Sequence, residues 1–314
     1  MLNQSNSNKV WVSELNRSAS RAFSVDGPIR FYDTTLRDGE QTVGVVLQPD
    51  QKVSLARHLD SLGVSRIEAG FARVSPEDAE AIRRIRDDGL KAEIWGFARA
   101  ARPDVDEVIR LGMKFTVIEI PTSAIKLKPY GISPADAVRR AADAVGHAKA
   151  HGIYVTFFPV DSTRTDLTFL KEICRATLDA GADELAVVDT LGACSPEAVE
   201  LLISEVRAWF GPKLPLHFHG HNDFGLATAC AIAAVRAGAT WIQEARSTAW
   251  ESGQAMQTLQ RSPWPSSAST TSRPRSISPE SAKFRKPCAK PENTNSNPGG
   301  RWWERTCSCA RAAP

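Results

Sequence analysis

From residue 29 onward, short β-rich runs alternate with longer stretches in which apolar positions recur at three- and four-residue steps. The short runs are Ile29 to Asp33, Arg66 to Phe71, Ala92 to Phe97, Phe115 to Ile120, Tyr154 to Phe158, Glu184 to Asp189, Leu214 to His219 and a last one opening at Thr240, which makes eight strands. The helical stretches include Pro49 to Leu62, Pro76 to Asp88, Pro134 to His151, Asp166 to Ala180 and Pro196 to Phe210, often opening on proline or an acidic first turn. Gly63, Gly89, Gly112, Gly152, Gly181 and Gly238 stand where helices end and match C-terminal caps. Eight such β/α units predict an α/β fold, a (β/α)8 TIM barrel, although a doubly wound open sheet gives a similar pattern.

The residues able to do chemistry choose between the two. Arg37 and Asp38 follow the first strand, Asp189-Thr190 end the sixth, and His219 and His221 end the seventh. A barrel brings the C-terminal ends of different strands to one mouth, where these residues can meet; an open sheet leaves them spread. His219 and His221 alternate at the strand period, so both face the interior. One carboxylate and two imidazoles make a divalent metal site that suits Mg, Mn or Zn. Read alone, Asp38 is as good a helix cap as a ligand. His217 shares the interior face one layer deeper and reads as a hydrogen-bonded core histidine, while His58, His147 and His151 fall in helices and read as surface residues. Glu68 faces the mouth and either touches substrate or braces Arg37.

Charge and composition change the picture in one respect. Residues 1–243 carry 28 Lys and Arg against 31 Asp and Glu, whereas residues 244–314 carry 11 against 5, so the basic excess lies in the tail and the body offers no nucleic-acid surface. No apolar run reaches membrane-spanning length and Met1 to Ser24 lacks a signal-peptide core, so no membrane partner and a cytoplasmic location are expected. The six cysteines have neither zinc-finger spacing nor disulfide-scaffold density. Three segments are expected: a flexible stretch at 1–27, a catalytic barrel at 28–243 and an aberrant, low-structure tail at 244–314.

Asp33-Thr-Thr-Leu-Arg-Asp-Gly-Glu-Gln41, Ile67-Glu-Ala-Gly-Phe71, Asp189-Thr-Leu-Gly192 and His219-Gly-His-Asn-Asp-Phe-Gly-Leu-Ala227, in that order, resemble the signatures of the homocitrate synthase and 2-isopropylmalate synthase family, within the TIM-barrel metallolyases that include 3-hydroxy-3-methylglutaryl-CoA lyase. The resemblance implies a divalent metal held by Asp38, His219 and His221. It also implies a Claisen condensation in which acetyl-CoA, deprotonated at its methyl group, attacks a 2-oxo acid to give a 2-hydroxy dicarboxylate and CoA. Arg37 is the expected catalytic residue, stabilising the developing alkoxide, and Thr190 is expected to hold the substrate carboxylate. Asn222 and Asp223 are expected to orient the imidazoles. An intact member of the family is expected to be a homodimer. Two departures bear on the acceptor pocket, where Glu68 and Lys126 are the other candidate substrate contacts. Lys126 stands where the family has histidine, and Phe157-Phe-Pro-Val-Asp161 replaces Phe-Ser-x-Glu-Asp, so Phe158 and Val160 take the place of a hydroxyl and a carboxylate. The alternative reading is a metal-dependent hydroxyacyl-CoA lyase or aldolase of the same superfamily.

The largest departure begins after Trp241-Ile-Gln243, where the family pattern calls for a loop like V-N-G-x-G-E-R-A-G-N. Residues 244–314 instead hold 12 Ser, 8 Pro and 4 of the 8 Trp, with little amphipathic periodicity. Codons for Ala245 to Gln257 can be regrouped in a shifted frame to encode G-T-V-N-G-M-G-E-R-A-G-N-A-D, and Trp302 to Ala312 regrouped likewise can yield V-V-G-E-N-L-F-V-R-E-S-G. An insertion or deletion near codon 244 would explain both windows. It predicts a barrel incomplete at strand 8, with strands 1 and 7 left as open edges, and adds an inactive product of a disrupted gene as a further reading.

Overall fold

A computed structural model of the chain describes residues 15, 29–42 and 44–244, all within one compact unit, Met1–Ser272. Eight parallel strands form a closed barrel in sequence order: β1 (Arg30–Asp33), β2 (Arg66–Glu68), β3 (Glu93–Arg99), β4 (Phe115–Pro121), β5 (Tyr154–Val160), β6 (Glu184–Asp189), β7 (Leu216–Gly220) and β8 (Trp241–Glu244). A helix follows each of the first seven: α1 (Pro49–Ser61), α2 (Pro76–Asp87), α3 (Arg102–Arg110), α4 (Pro134–Ala150), α5 (Leu167–Asp179), α6 (Pro196–Phe210) and α7 (Ala227–Arg236).

The helix starts are set by local chemistry. Ser75, Ser133 and Ser195 each accept a backbone N–H three residues on and are each followed by proline, whose missing N–H costs nothing in the first turn. Asp166 caps α5 in the same way, accepting from Phe169 N at 3.0 Å. The six glycines expected at helix ends all adopt positive φ. Strand β7 opens at Leu216 rather than Leu214 because Pro215 has no N–H to give the ladder; its carbonyl accepts from Leu185 N instead.

The expectation of an incomplete barrel is corrected. Strand β8 pairs with both neighbours, Arg30 opposite Trp241 and Asp33 opposite Glu244 on one side, His217 opposite Trp241 and Gly220 opposite Glu244 on the other. Thr240 to Gln243 still follow the strand pattern, and four residues suffice to bridge β1 and β7, so neither is an open edge. The suspected frame change, the tail at 245–314 and the segment 1–27 apart from residue 15 lie outside the described residues. Among the described residues no helix is long and apolar enough to cross a membrane.

Apolar packing falls into two layers. A large cluster lies between strands and helices, where Ala137, Ala141, Ala144 and Ala148 let α4 approach the sheet closely. The second fills the barrel, with Tyr32, Trp95, Phe97, Val117, Phe158, Ala186, Val188 and Trp241. Around Trp95 and Trp241 the interior turns polar. The Glu184 carboxylate accepts from Arg66 (2.7 and 3.2 Å), Thr156 (2.7 Å) and Tyr154 (3.0 Å), and bonds His217 Nε2 at 2.8 Å. Arg66 is also bound to Glu93 and lies over Trp241, 3.6 Å from the ring centroid. Such a network is stable only because every charge in it is paired. It confirms His217 as a hydrogen-bonded core histidine.

Candidate metal centre

The turn after β1 is wound tightly around a single carbonyl. Thr34 O accepts from the backbone N–H of Arg37, Asp38 and Gly39, and Asp33 Oδ1 accepts from Thr35 N at 2.8 Å. This presents Arg37 and Asp38 to the mouth, each 8% exposed. Asp38 stands at the start of the short helix Gly39–Gln41 but makes no side-chain cap, so the capping alternative is not realised.

Across the seam, β7 delivers the imidazoles. His219 Nε2 and His221 Nε2 each lie 3.6 Å from Asp38 Oδ2, and one ligand atom from each of the three residues falls within 4.8 Å of the others. Two ligands held about 2.1 Å from an ion at angles of roughly 90 to 120° stand about 3.0 to 3.6 Å apart, so the distance from Asp38 to each imidazole suits a divalent cation. Asp38 Oδ2 is buried and has no hydrogen-bond partner, as expected of an oxygen whose natural partner is a cation. Burial disfavours its charge, but Arg37 and the two imidazoles outweigh that and hold its carboxyl below the ordinary range. Burial pushes His219 down to about 3 against the pull of Asp38, which leaves a neutral ring with a lone pair to donate.

Arg37 is fixed from three sides. Its Nε donates to Glu68, its Nη1 to Asp38 Oδ1 at 3.2 Å, and its guanidinium lies 4.4 Å from the Phe97 ring centroid. Tyr32 OH donates to the other Glu68 oxygen at 2.7 Å, so both oxygens of this fully buried carboxylate are engaged and it braces Arg37. Arg37 Nη2 is left buried without a partner.

The remaining sequence candidates divide. Thr190 Oγ1 accepts from Asp161 N at 2.9 Å, tying the ends of β5 and β6 together at the mouth. Lys126 lies on the one-turn helix Ala124–Leu127 after β4, and its ammonium makes no hydrogen bond or ion pair among the described residues. Asn222 Oδ1 accepts from Ala227 N at 3.1 Å at the start of α7. Asp223 is exposed, with no side-chain hydrogen bond among the described residues. The imidazoles are positioned by other groups. Phe158 packs edge-on against His219 with centroids 4.9 Å apart, and Asp189 O accepts from His221 N at 3.1 Å. Gln243, opposite His219 in the ladder, donates to His217 Nδ1 at 2.9 Å; its Oε1 and His219 Nδ1 are both buried without partners, a complementary acceptor and donor on adjacent strands. Its register against β7, and no signal within the sequence, marks Gln243 out.

Gly192, in the loop after β6, has φ +58°, and a Cβ there would stand 2.3 Å from His221 O. Gly192→Ala is therefore expected to push the β7 loop outward. Thermal unfolding should show a loss of about 1 to 3 kcal/mol, and calorimetric titration with Mn(II) a weaker site. Wild-type affinity in this variant would show that the loop does not place His221.

The HMGL-like family model matches residues 28–245. A homocitrate synthase of Methanopyrus kandleri is 42% identical over 224 residues, 71% of this chain and 56% of that protein. A 2-isopropylmalate synthase of Methanocaldococcus jannaschii is 42% identical over 229 residues, 72% of this chain and 44% of that protein. The chain thus spans about half the length of these curated relatives. Among solved structures, hydroxymethylglutaryl-CoA lyase from Pseudomonas aeruginosa shares the fold with a TM-score of 0.66 at 18% identity, covering 76% of this chain and 87% of that one. With the barrel, the ordered motifs and the match across its whole described body, the chain belongs to the HMGL-like family.

Proposed function

We propose that the chain is an acyltransferase that condenses acetyl-CoA with a 2-oxo acid, giving a 2-hydroxy dicarboxylate and CoA. The observation that carries this reading is the convergence of Asp38, His219 and His221 on one point with the unpartnered Nη2 of Arg37 beside it. The relatives named homocitrate synthase and 2-isopropylmalate synthase support it.

Asp38, His219 and His221 would hold a divalent ion, Mg, Mn or Zn, which when bound polarises the oxo group and templates the acid. Arg37, clamped by Glu68 and Asp38, keeps a free N–H for the oxygen on which charge develops, a contribution of roughly a few kcal/mol for one positioned donor. Thr190, its oxygen already accepting from Asp161, retains a hydroxyl proton for the substrate carboxylate. The apolar wall of Phe158 and Val160 excludes water from that side and selects against acceptors needing a polar partner there.

The test is CoA release, followed with a thiol reagent, from acetyl-CoA and a panel of 2-oxo acids with Mg or Mn. Acid-dependent release is expected. Cleavage of a hydroxyacyl-CoA without free CoA would favour the lyase reading, and silence in both assays would leave the disrupted-gene reading standing.

A further inference from the structure

We propose that Glu119 is the base that takes the proton from the acyl thioester; this rests on the condensation reading above. Glu119 follows Val117 of the interior cluster at the strand period, so it belongs to the interior face of β4, one layer nearer the mouth. In the ladder it stands opposite Arg99 of β3 and Phe158 of β5. Phe158 is the ring packed on His219, which puts Glu119 one strand from the ring that seats a metal ligand.

Of the carboxylates on the interior face near the mouth, the others are engaged. Asp38 faces both imidazoles and Arg37, and Glu68 holds Arg37 and Tyr32. Glu119 is only half-buried, and its carboxylate has no hydrogen bond or ion pair among the described residues. Beside it β5 offers only Phe158 and Val160, so no other base stands on that wall. The charged groups around it are Arg37 and Asp38 from the turn after β1, Glu68 from β2 and Arg99 from β3. Burial pushes its carboxyl up to about 7; Glu68 and Asp38 add to this, while Arg37 and Arg99 oppose it. A base poised near the working pH transfers protons most effectively.

In the step, the methyl C–H bond breaks and its proton goes to a Glu119 oxygen. The C–H electron pair becomes the double bond of the thioester enolate, and the thioester oxygen takes the negative charge. The enolate carbon then bonds to the oxo carbon of the acid, whose π pair moves to oxygen as an alkoxide facing Arg37. Glu119 carries the proton that the alkoxide takes back. Water afterwards adds to the thioester, and CoA departs as the thiol.

The test compares full-length wild type, Glu119→Gln and Glu119→Asp, each checked by circular dichroism and by Mn(II) titration. Glu119→Gln is expected to lower kcat by at least about 100-fold with little change in KM for the oxo acid, and to stop deuterium exchange into the acetyl-CoA methyl in heavy water. Glu119→Asp should recover part of both. Infrared difference spectra of the metal-free wild type should show a carboxyl losing its proton near neutral pH that is missing in Glu119→Gln. Wild-type kcat and exchange in Glu119→Gln would overturn the assignment while leaving the condensation reading intact. A wild type that releases CoA with no oxo acid would overturn both.

Discussion

In a His219→Ala variant, Mn(II) binding followed by calorimetry weakens by more than about 100-fold, beyond the 10- to 100-fold typical when a residue merely orienting a ligand is lost. CoA release falls to background in the same protein. The reason is geometric. His219, in β7, and His221, just beyond its end, approach the same Asp38 oxygen at 3.6 Å, so neither can take the other's place without moving its backbone. A His217→Ala variant is the control. It removes an imidazole two residues away, bonded to Glu184 and Gln243, and should cost stability while the three ligands stay in place. Equal metal affinity in His219→Ala and wild type would mean that the cluster is not the ion site.

The largest effect on stability is expected at the other end of the barrel. Glu184→Gln keeps the volume of the side chain but leaves Arg66 deprived of a buried partner. Breaking one member of a buried pair costs about 3 to 5 kcal/mol, a fall in Tm of roughly 6 to 20 °C for a domain of this size. The pH dependence has a definite sign. Burial would raise the Glu184 carboxyl, but the hydrogen bonds from His217 and Arg66 and the permanent charge of Arg66 outweigh it and hold it well below the carboxylate range. A group depressed in the folded state contributes fully above its unfolded pKa of about 4.3, and the contribution is lost as pH falls through the folded value. Urea titrations should therefore show a constant gap between wild type and Glu184→Gln from about pH 5 to pH 8, narrowing below about pH 4. A gap that widens on acidification would contradict this pairing.

What the sequence disclosed follows from where its signals are local. Strand and helix order, the helices that open on proline and the interior orientation of His219 all arise from neighbours within a few residues, and each is found in place. Asn222 stands beside His221 in sequence, yet its Oδ1 meets the free backbone N–H of Ala227 at the start of α7, a partner that adjacency in sequence does not reveal. Gln243 and Glu119 were invisible for a different reason. Each acquires its meaning from the strand beside it, His219 for one and Phe158 with Arg99 for the other, and no spacing along the chain encodes that register. The strand pattern in Thr240 to Gln243 is enough to place the eighth strand, whatever the composition after residue 243.

The seam between β1 and β8 has a consequence for how the protein comes to be folded. Residue 30 pairs with residue 241, and closing so long a loop is intrinsically slow. Asp38 lies on one side of that seam while His219 and His221 lie on the other. A chain still open there holds the carboxylate and the two imidazoles on opposite edges, so the cluster is completed only when β8 closes the ring.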